Sequence, residues 1–295
     1  MKRMTRLKKG FSRVPALVSL LMFFTASAMA GPGIPQRVIS LSPIITETIY
    51  LLGAQDRLIA NTTYCNIPEA AMLKEKIGSV TQMNVEKIIR LRPDLVIASA
   101  LSRERQLIML ERQSIRILRA QNPKTFSQMC DMTLTIGQKL GKEQAARQIV
   151  DRAQKEVAGI WEKTRGLEKP RVFLQIGLKP LHSANKEMFI NEYIRYGGGI
   201  NIAGNASSGI YSREKVITEN PDVILIATMG TSRKSGELEK QRWMTFKSMN
   251  AVKNNQVFVL DPEMICSPTP NTFVMGLTSL LPLIHPELAG GGVNE

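Results

Sequence analysis

Histidine, cysteine and aromatic residues are scarce in this chain. Its 295 residues hold two histidines, three cysteines and 5% aromatics. Two histidines are too few for the clustered imidazole sites that bind bare zinc or manganese ions. Three cysteines leave at least one thiol unpaired, so no disulfide framework carries the fold. Few aromatics, and no arginine-rich tract among the scattered cations, argue against nucleic acid as a partner. The chain also lacks a G-x-G-x-x-G turn, a phosphate loop, a zinc-helix motif and a G-x-S-x-G elbow, and with them the support for an enzyme. Apart from one stretch at the N-terminus, no apolar run approaches membrane-spanning length.

That stretch has the form of an export signal. Lys2, Arg3, Arg6, Lys8, Lys9 and Arg13 precede the apolar segment Val14–Phe24, and Ala28-Met29-Ala30 is a small-x-small cleavage site. Residues 1–30 are therefore expected to be removed, with the mature chain in the periplasm. No cysteine stands near the cut, so a lipid anchor is not expected. Taking the six basic head residues from the formal charge of +14 leaves +8, a moderately basic surface.

What the chain has is a repeat. Asn84-Val-Glu86-Lys87-Ile88-Ile89 leads to Pro93-Asp94 and the apolar run Leu95–Ala98; Ser212-Arg-Glu214-Lys215-Val216-Ile217 leads to Pro221-Asp222 and Val223–Ala227. Asn84 and Ser212 are good N-caps, and Glu86 and Glu214 fall in the first turn, where a carboxylate complements the helix dipole. The prolines end each helix. Each apolar run lacks polar alternation, as a strand covered on both faces does. Further strands are expected at Arg37–Leu41, Leu58–Asn61, Ile115–Ala120, Arg171–Ile176 and Val257–Leu260. Gly177–Ser183, Gly230–Gly236 and Asp261–Pro268 read as loops. Between the repeats, Phe126 to about Leu167 has only helical periodicity.

The pattern predicts an α/β protein of two Rossmann-like lobes with mostly parallel sheets, joined by one long helix, with a ligand cleft between the lobes. The expected boundaries are 36–124 for the N-terminal lobe, 125–168 for a connecting helix bent at Gly141, and 169–288 for the C-terminal lobe. Strand-exit loops then line the cleft with Ser42, Pro43, Tyr64, Thr81, Ser99, His182, Ser208, Met229, Asp261 and Pro262. Cys65 and Cys266 fall on loops at opposite rims, where a disulfide, a ligand contact and idle thiols all stay open; Cys130 sits among apolar helix positions.

Arg37-Val-Ile-Ser-Leu-Ser-Pro43 with Thr46-Glu47, Gly78, Met83-Asn84-Val-Glu86, Pro93–Ala98, Arg171–Gln175, Gly198-Gly-Ile-Asn201 and Ser212-Arg-Glu214 occur in an order that resembles the helical-backbone class of periplasmic substrate-binding proteins of ABC importers. The chain looks closest to the cobalamin-binding branch, beside the ferric-siderophore and haem binders. The resemblance implies a monomer that captures a small-molecule chelate and docks on an ABC permease through Glu86 and Glu214. It implies no resident cofactor; the corrinoid, haem or ferric chelate would be cargo. Tyr64 matches a tyrosine that stacks on the corrin ring, and Asp261 a carboxylate that contacts it. Where the cobalamin binder places further aromatics, this chain has Val80, Ser99, His182 and Ser208. Tyr64 and His182, expected on opposite lobes, keep haem open.

Overall fold

The computed structural model describes residues 33–228 and 233–290. The leader expected over residues 1–30 and the cleft candidate Met229 lie outside them.

Both copies of the repeat fold alike. Asn84 accepts the Lys87 N–H at 2.9 Å, and Ser212 accepts that of Lys215 at 3.1 Å, so each expected N-cap forms. The helices that follow end in left-handed residues before the prolines, Arg92 (φ 47°) and Asn220 (φ 45°). The aspartate of each Pro-Asp pair then bonds the entry of the lobe's first strand. Asp94 accepts from the Gln36 and Arg37 N–H groups, and Asp222 from that of Arg171. Arg37 and Arg171 return the contact by donating to the carbonyls of Leu91 and Arg92, and of Glu219. One device thus locks helix, turn and strand together in each half.

The N-terminal lobe comprises β1 (Val38–Ser40), α1 (Pro43–Leu51), β2 (Leu58–Asn61), β3 (Glu75–Lys76), α2 (Val85–Arg90), β4 (Leu95–Ser99), α3 (Glu104–Glu111) and β5 (Arg116–Ala120). Its sheet is wholly parallel in the order β3-β2-β1-β4-β5. Alternate residues feed two cores: Ile39, Val96 and Ala98 pack with Ile88 and Leu107, while Val38, Leu95 and Ile97 pack with Ile45 and Ile49. This double burial explains the unbroken apolar runs.

The connecting segment corrects the expected single helix. Gly141 (φ 62°) breaks it into α4 (Phe126–Lys139) and α5 (Glu143–Thr164). The two helices lie against each other, with Gly137 packed on Ala146. The start of α4 (Phe126, Met129, Cys130) belongs to the C-terminal core, and its end (Met132, Ile136, Leu140) to the N-terminal one. α5 runs back from Ala146 in the N-terminal core to Val157 and Ile160 in the C-terminal core. A hairpin packed into both cores replaces the rod.

The C-terminal lobe follows with β6 (Arg171–Leu178), β7 (Leu181–Ser183), α6 (Asn191–Tyr196), β8 (Ile200–Asn201), α7 (Arg213–Glu219), β9 (Val223–Ile226), α8 (Arg233–Trp243), α9 (Asn250–Lys253), β10 (Val257–Val259), α10 (Pro262–Cys266) and α11 (Pro270–Ile284). The strand order is β10-β9-β6-β7 with β8 also on β6, and only β7 runs antiparallel. Three expected loops hold structure. Gly177–Ser183 turns as the β6–β7 hairpin, Asp261 caps the short α10, and α8 begins at Arg233. Glu239 on α8 is buried and accepts from Gln175 (3.1 Å), Arg242 (3.0 Å) and Arg213. These bonds outweigh the burial penalty and hold its carboxyl below the usual range.

The turn before α2 is tight. Gly78 sits at φ 103°, where an added Cβ would collide with the Gln82 carbonyl. Gly78→Ala is expected to cost about 1–3 kcal/mol in urea denaturation. Gly159→Ala, in open space on α5, is expected to gain about 0.5–1 kcal/mol.

Candidate functional site

The C-terminal ends of the parallel strands release the loops that wall a cavity of about 680 Å³ between the lobes. Ser42 and Pro43 follow β1, Tyr64 and Asn66 follow β2, Ser99 ends β4 with Leu101 just beyond it, and Asn122 and Pro123 follow β5. The opposite wall is Phe189 with Pro262, Glu263, Cys266 and Ser267. Clefts of this size are typical of sites that bury a small-molecule ligand.

Five of the expected lining residues are brought together here: Ser42, Pro43, Tyr64, Ser99 and Pro262. Val80 joins them, and Tyr64 presents its ring with 63% exposed. Thr81, Ser208 and Asp261 are exposed and lie outside this wall. Asp261 accepts the Glu263 N–H at 2.9 Å, so its carboxylate caps α10. His182 lines a second cavity with Lys179, Pro180 and Arg242. Tyr64 and His182 therefore do not face one another across a single site, as an axial pair on haem iron would. Trp243 is buried in the C-terminal core, and Trp161 sits edge-on to Tyr196.

Sequence reasoning missed Glu47, Asn66, Phe189, Glu263 and Ser267 as lining residues. Glu47 had a signal, because it lies one helical turn past Pro43 at the start of α1. Phe189 and Glu263 had none, since their places depend on the approach of the second lobe. Two hydrogen bonds span the lobes at this wall. Thr269 Oγ1 donates to Glu47 Oε1 at 3.2 Å, and Asn66 Nδ2 donates to Glu263 Oε1 at 3.4 Å. Below the floor, the Thr46 hydroxyl lies 2.8 Å from Ser40 Oγ and 3.1 Å from the buried Cys65 thiol. All three cysteines are free, so the 65–266 disulfide is not formed. Burial pushes the Cys266 thiol up to about 12, leaving it a neutral part of the wall. Among the described residues no group of three or more His, Cys, Asp or Glu side chains is placed to hold a metal ion.

Burial also raises the Glu47 carboxyl above its ordinary value, against hydrogen bonds from Thr272 and Thr269 that lower it; nearby Glu263 raises it further. A carboxyl that holds its proton more tightly when folded contributes stability at low pH and loses it as pH rises through the folded value. Glu47→Gln should remove this slope. The melting temperature of the parent relative to Glu47→Gln is expected to fall as pH rises above the ordinary carboxylate range, read by thermal unfolding at each pH.

A family model described as periplasmic binding protein matches residues 38–264. The chain belongs to the periplasmic binding protein family. A vitamin B12-binding protein of Vibrio parahaemolyticus is 32% identical over 266 residues, covering 86% of this chain and 90% of the relative. An uncharacterized ABC transporter substrate-binding lipoprotein of Bacillus subtilis is 30% identical over 261 residues, covering 86% and 81%. Among solved structures, the vitamin B12-binding protein of Vibrio cholerae aligns with a TM-score of 0.74 at 23% identity, over 86% of this chain and 98% of that one. The haem-binding protein of the same species aligns at 0.76 and 18%, over 85% and 99%. At such identities the structural likeness establishes the two-lobed fold of this periplasmic binding protein. Among its described residues, no helix is long and apolar enough to cross a membrane.

Proposed function

We propose that this periplasmic binding protein is the capture component of an ABC importer, exported through its leader, and that its cargo is a corrinoid or a closely related metal chelate. The observation that carries the reading is the cavity between the lobes, walled by strand-exit loops of both and rimmed by the open ring of Tyr64. Relatives that are 30% or more identical and named as vitamin B12-binding or ABC substrate-binding proteins support it. They are binding proteins, so capture without turnover is the natural mode.

Glu86 and Glu214 are the proposed permease contacts. Both are exposed on capped helix starts in equivalent repeats, and neither forms an ion pair among the described residues. α7 is held by Arg213, which stacks over Trp243 and pairs with buried Glu239. The free carboxylates would meet cationic pockets on the permease, and closure of the lobes on cargo would set their spacing.

Cargo is tested by titrating purified protein with cyanocobalamin and following visible absorption. Saturable binding of one corrinoid per chain, weakened at least about tenfold by Tyr64→Ala, is the expected result. Absence of binding by cyanocobalamin would end the corrinoid assignment.

A further inference from the structure

Among the described residues, the cavity wall carries two carboxylates, Glu47 and Glu263, and no lysine, arginine or histidine. This contrasts with the formal charge of +8 that remains when the six basic residues of the leader are taken from +14. Basic groups are plentiful on the protein and absent from this wall.

Three helix N-termini lie at or beside the cavity: the start of the short α10 is capped by the Asp261 carboxylate, and those of α1 and α11 could each greet an anion with about half a unit of positive charge. The start of α11 is already taken. Thr269 and Thr272 form its capping box, and Glu47 from the other lobe accepts the Thr269 hydroxyl there. The start of α1, at Ser42 and Pro43, has no side-chain cap. Its half charge is set against Glu47 one turn along the same helix and Glu263 across the cavity. Burial makes Glu47 hold its proton more tightly, so the balance depends on pH; above its raised titration range both carboxylates are charged, they outweigh the half charge, and the site repels anions.

We infer that Glu47 and Glu263 are specificity residues that make the cleft a charge filter, admitting neutral or cationic chelates rimmed by amides and rejecting those rimmed by carboxylates. The inference rests on the chelate-binding reading and narrows it. An amide rim suits the wall in a second way, since Asn66, Asn122 and Ser99 offer both donors and acceptors. A carboxylate rim would find donors but no compensating charge, and like charges brought together in a desolvated site are strongly disfavoured.

Matched probes separate charge from shape. Cyanocobalamin is compared with the carboxylates made by hydrolysing its propionamide side chains, and haem with its diamide. Binding is measured at mildly alkaline pH to the parent protein, Glu263→Gln and the double variant Glu47→Gln/Glu263→Gln. Melting temperatures confirm that each is folded. In the parent, the amide member of a pair that binds is expected to bind at least about tenfold more tightly than its carboxylate twin. The ratio should fall in Glu263→Gln and collapse to within about threefold in the double variant, chiefly through tighter carboxylate binding. Equal affinity for twins in the parent, or an unchanged ratio in the double variant, overturns the filter while leaving the chelate reading in place. Failure of all four probes to bind the parent overturns the chelate reading and the filter with it.

Discussion

Uptake of cargo is lost when Glu86 and Glu214 are both changed to arginine, while cargo affinity stays within about twofold of the parent: this is the largest expected effect. Each carboxylate stands on the first turn of a short helix whose N-cap is satisfied by Asn84 or Ser212. Substitution there forfeits a dipole interaction worth about 0.3–1 kcal/mol, too little to unfold a lobe. At a docked interface the arithmetic differs. Removing one partner of a desolvated charge pair costs about 2–5 kcal/mol, and reversal adds repulsion at both contacts. The measurement pairs transport into vesicles bearing the cognate permease with equilibrium binding by the free protein. Each single reversal should cripple transport partially. Transport at the parent rate by the double variant would remove both residues from the permease contact.

Phe273→Ala is expected to cost about 3–5 kcal/mol, a large share of the stability of an ordinary domain. Its fully buried ring stacks on Phe126 (4.9 Å) and Tyr193 (4.4 Å) and meets Tyr196 edge-on. These rings come from α4, α6 and α11, so the substitution empties the point where the connecting hairpin enters the C-terminal core. Urea denaturation should show a lower midpoint. Met275→Ala, half-exposed on the same helix, is the control and should change stability by no more than about 0.5 kcal/mol. A midpoint for Phe273→Ala equal to that of Met275→Ala would contradict the packing described for α11.

The two halves were legible because their signals are local. A cap, a first-turn carboxylate, a helix-ending proline and an apolar run lie within about fifteen residues of one another, and backbone sterics act at that range. The paired Asp94 and Asp222 carried a meaning that spacing did not expose, since each bonds a strand entry more than fifty residues earlier. The hairpin of α4 and α5 shows the opposite failure. Helical periodicity is blind to direction, so one bent helix and two antiparallel ones read alike until Gly141 is seen in the left-handed region.

The sequence by itself determined that this is a two-lobed α/β protein with a matched pair of exposed acidic helix starts, because propensity, capping and double-faced burial are written residue by residue. Only the tertiary structure decided which side chains share the cavity. It set Glu47 against the start of α11, turned Asp261 to cap its own helix, and sent His182 to a different cavity. Those placements depend on how two separately folded sheets approach, a distance no local pattern encodes.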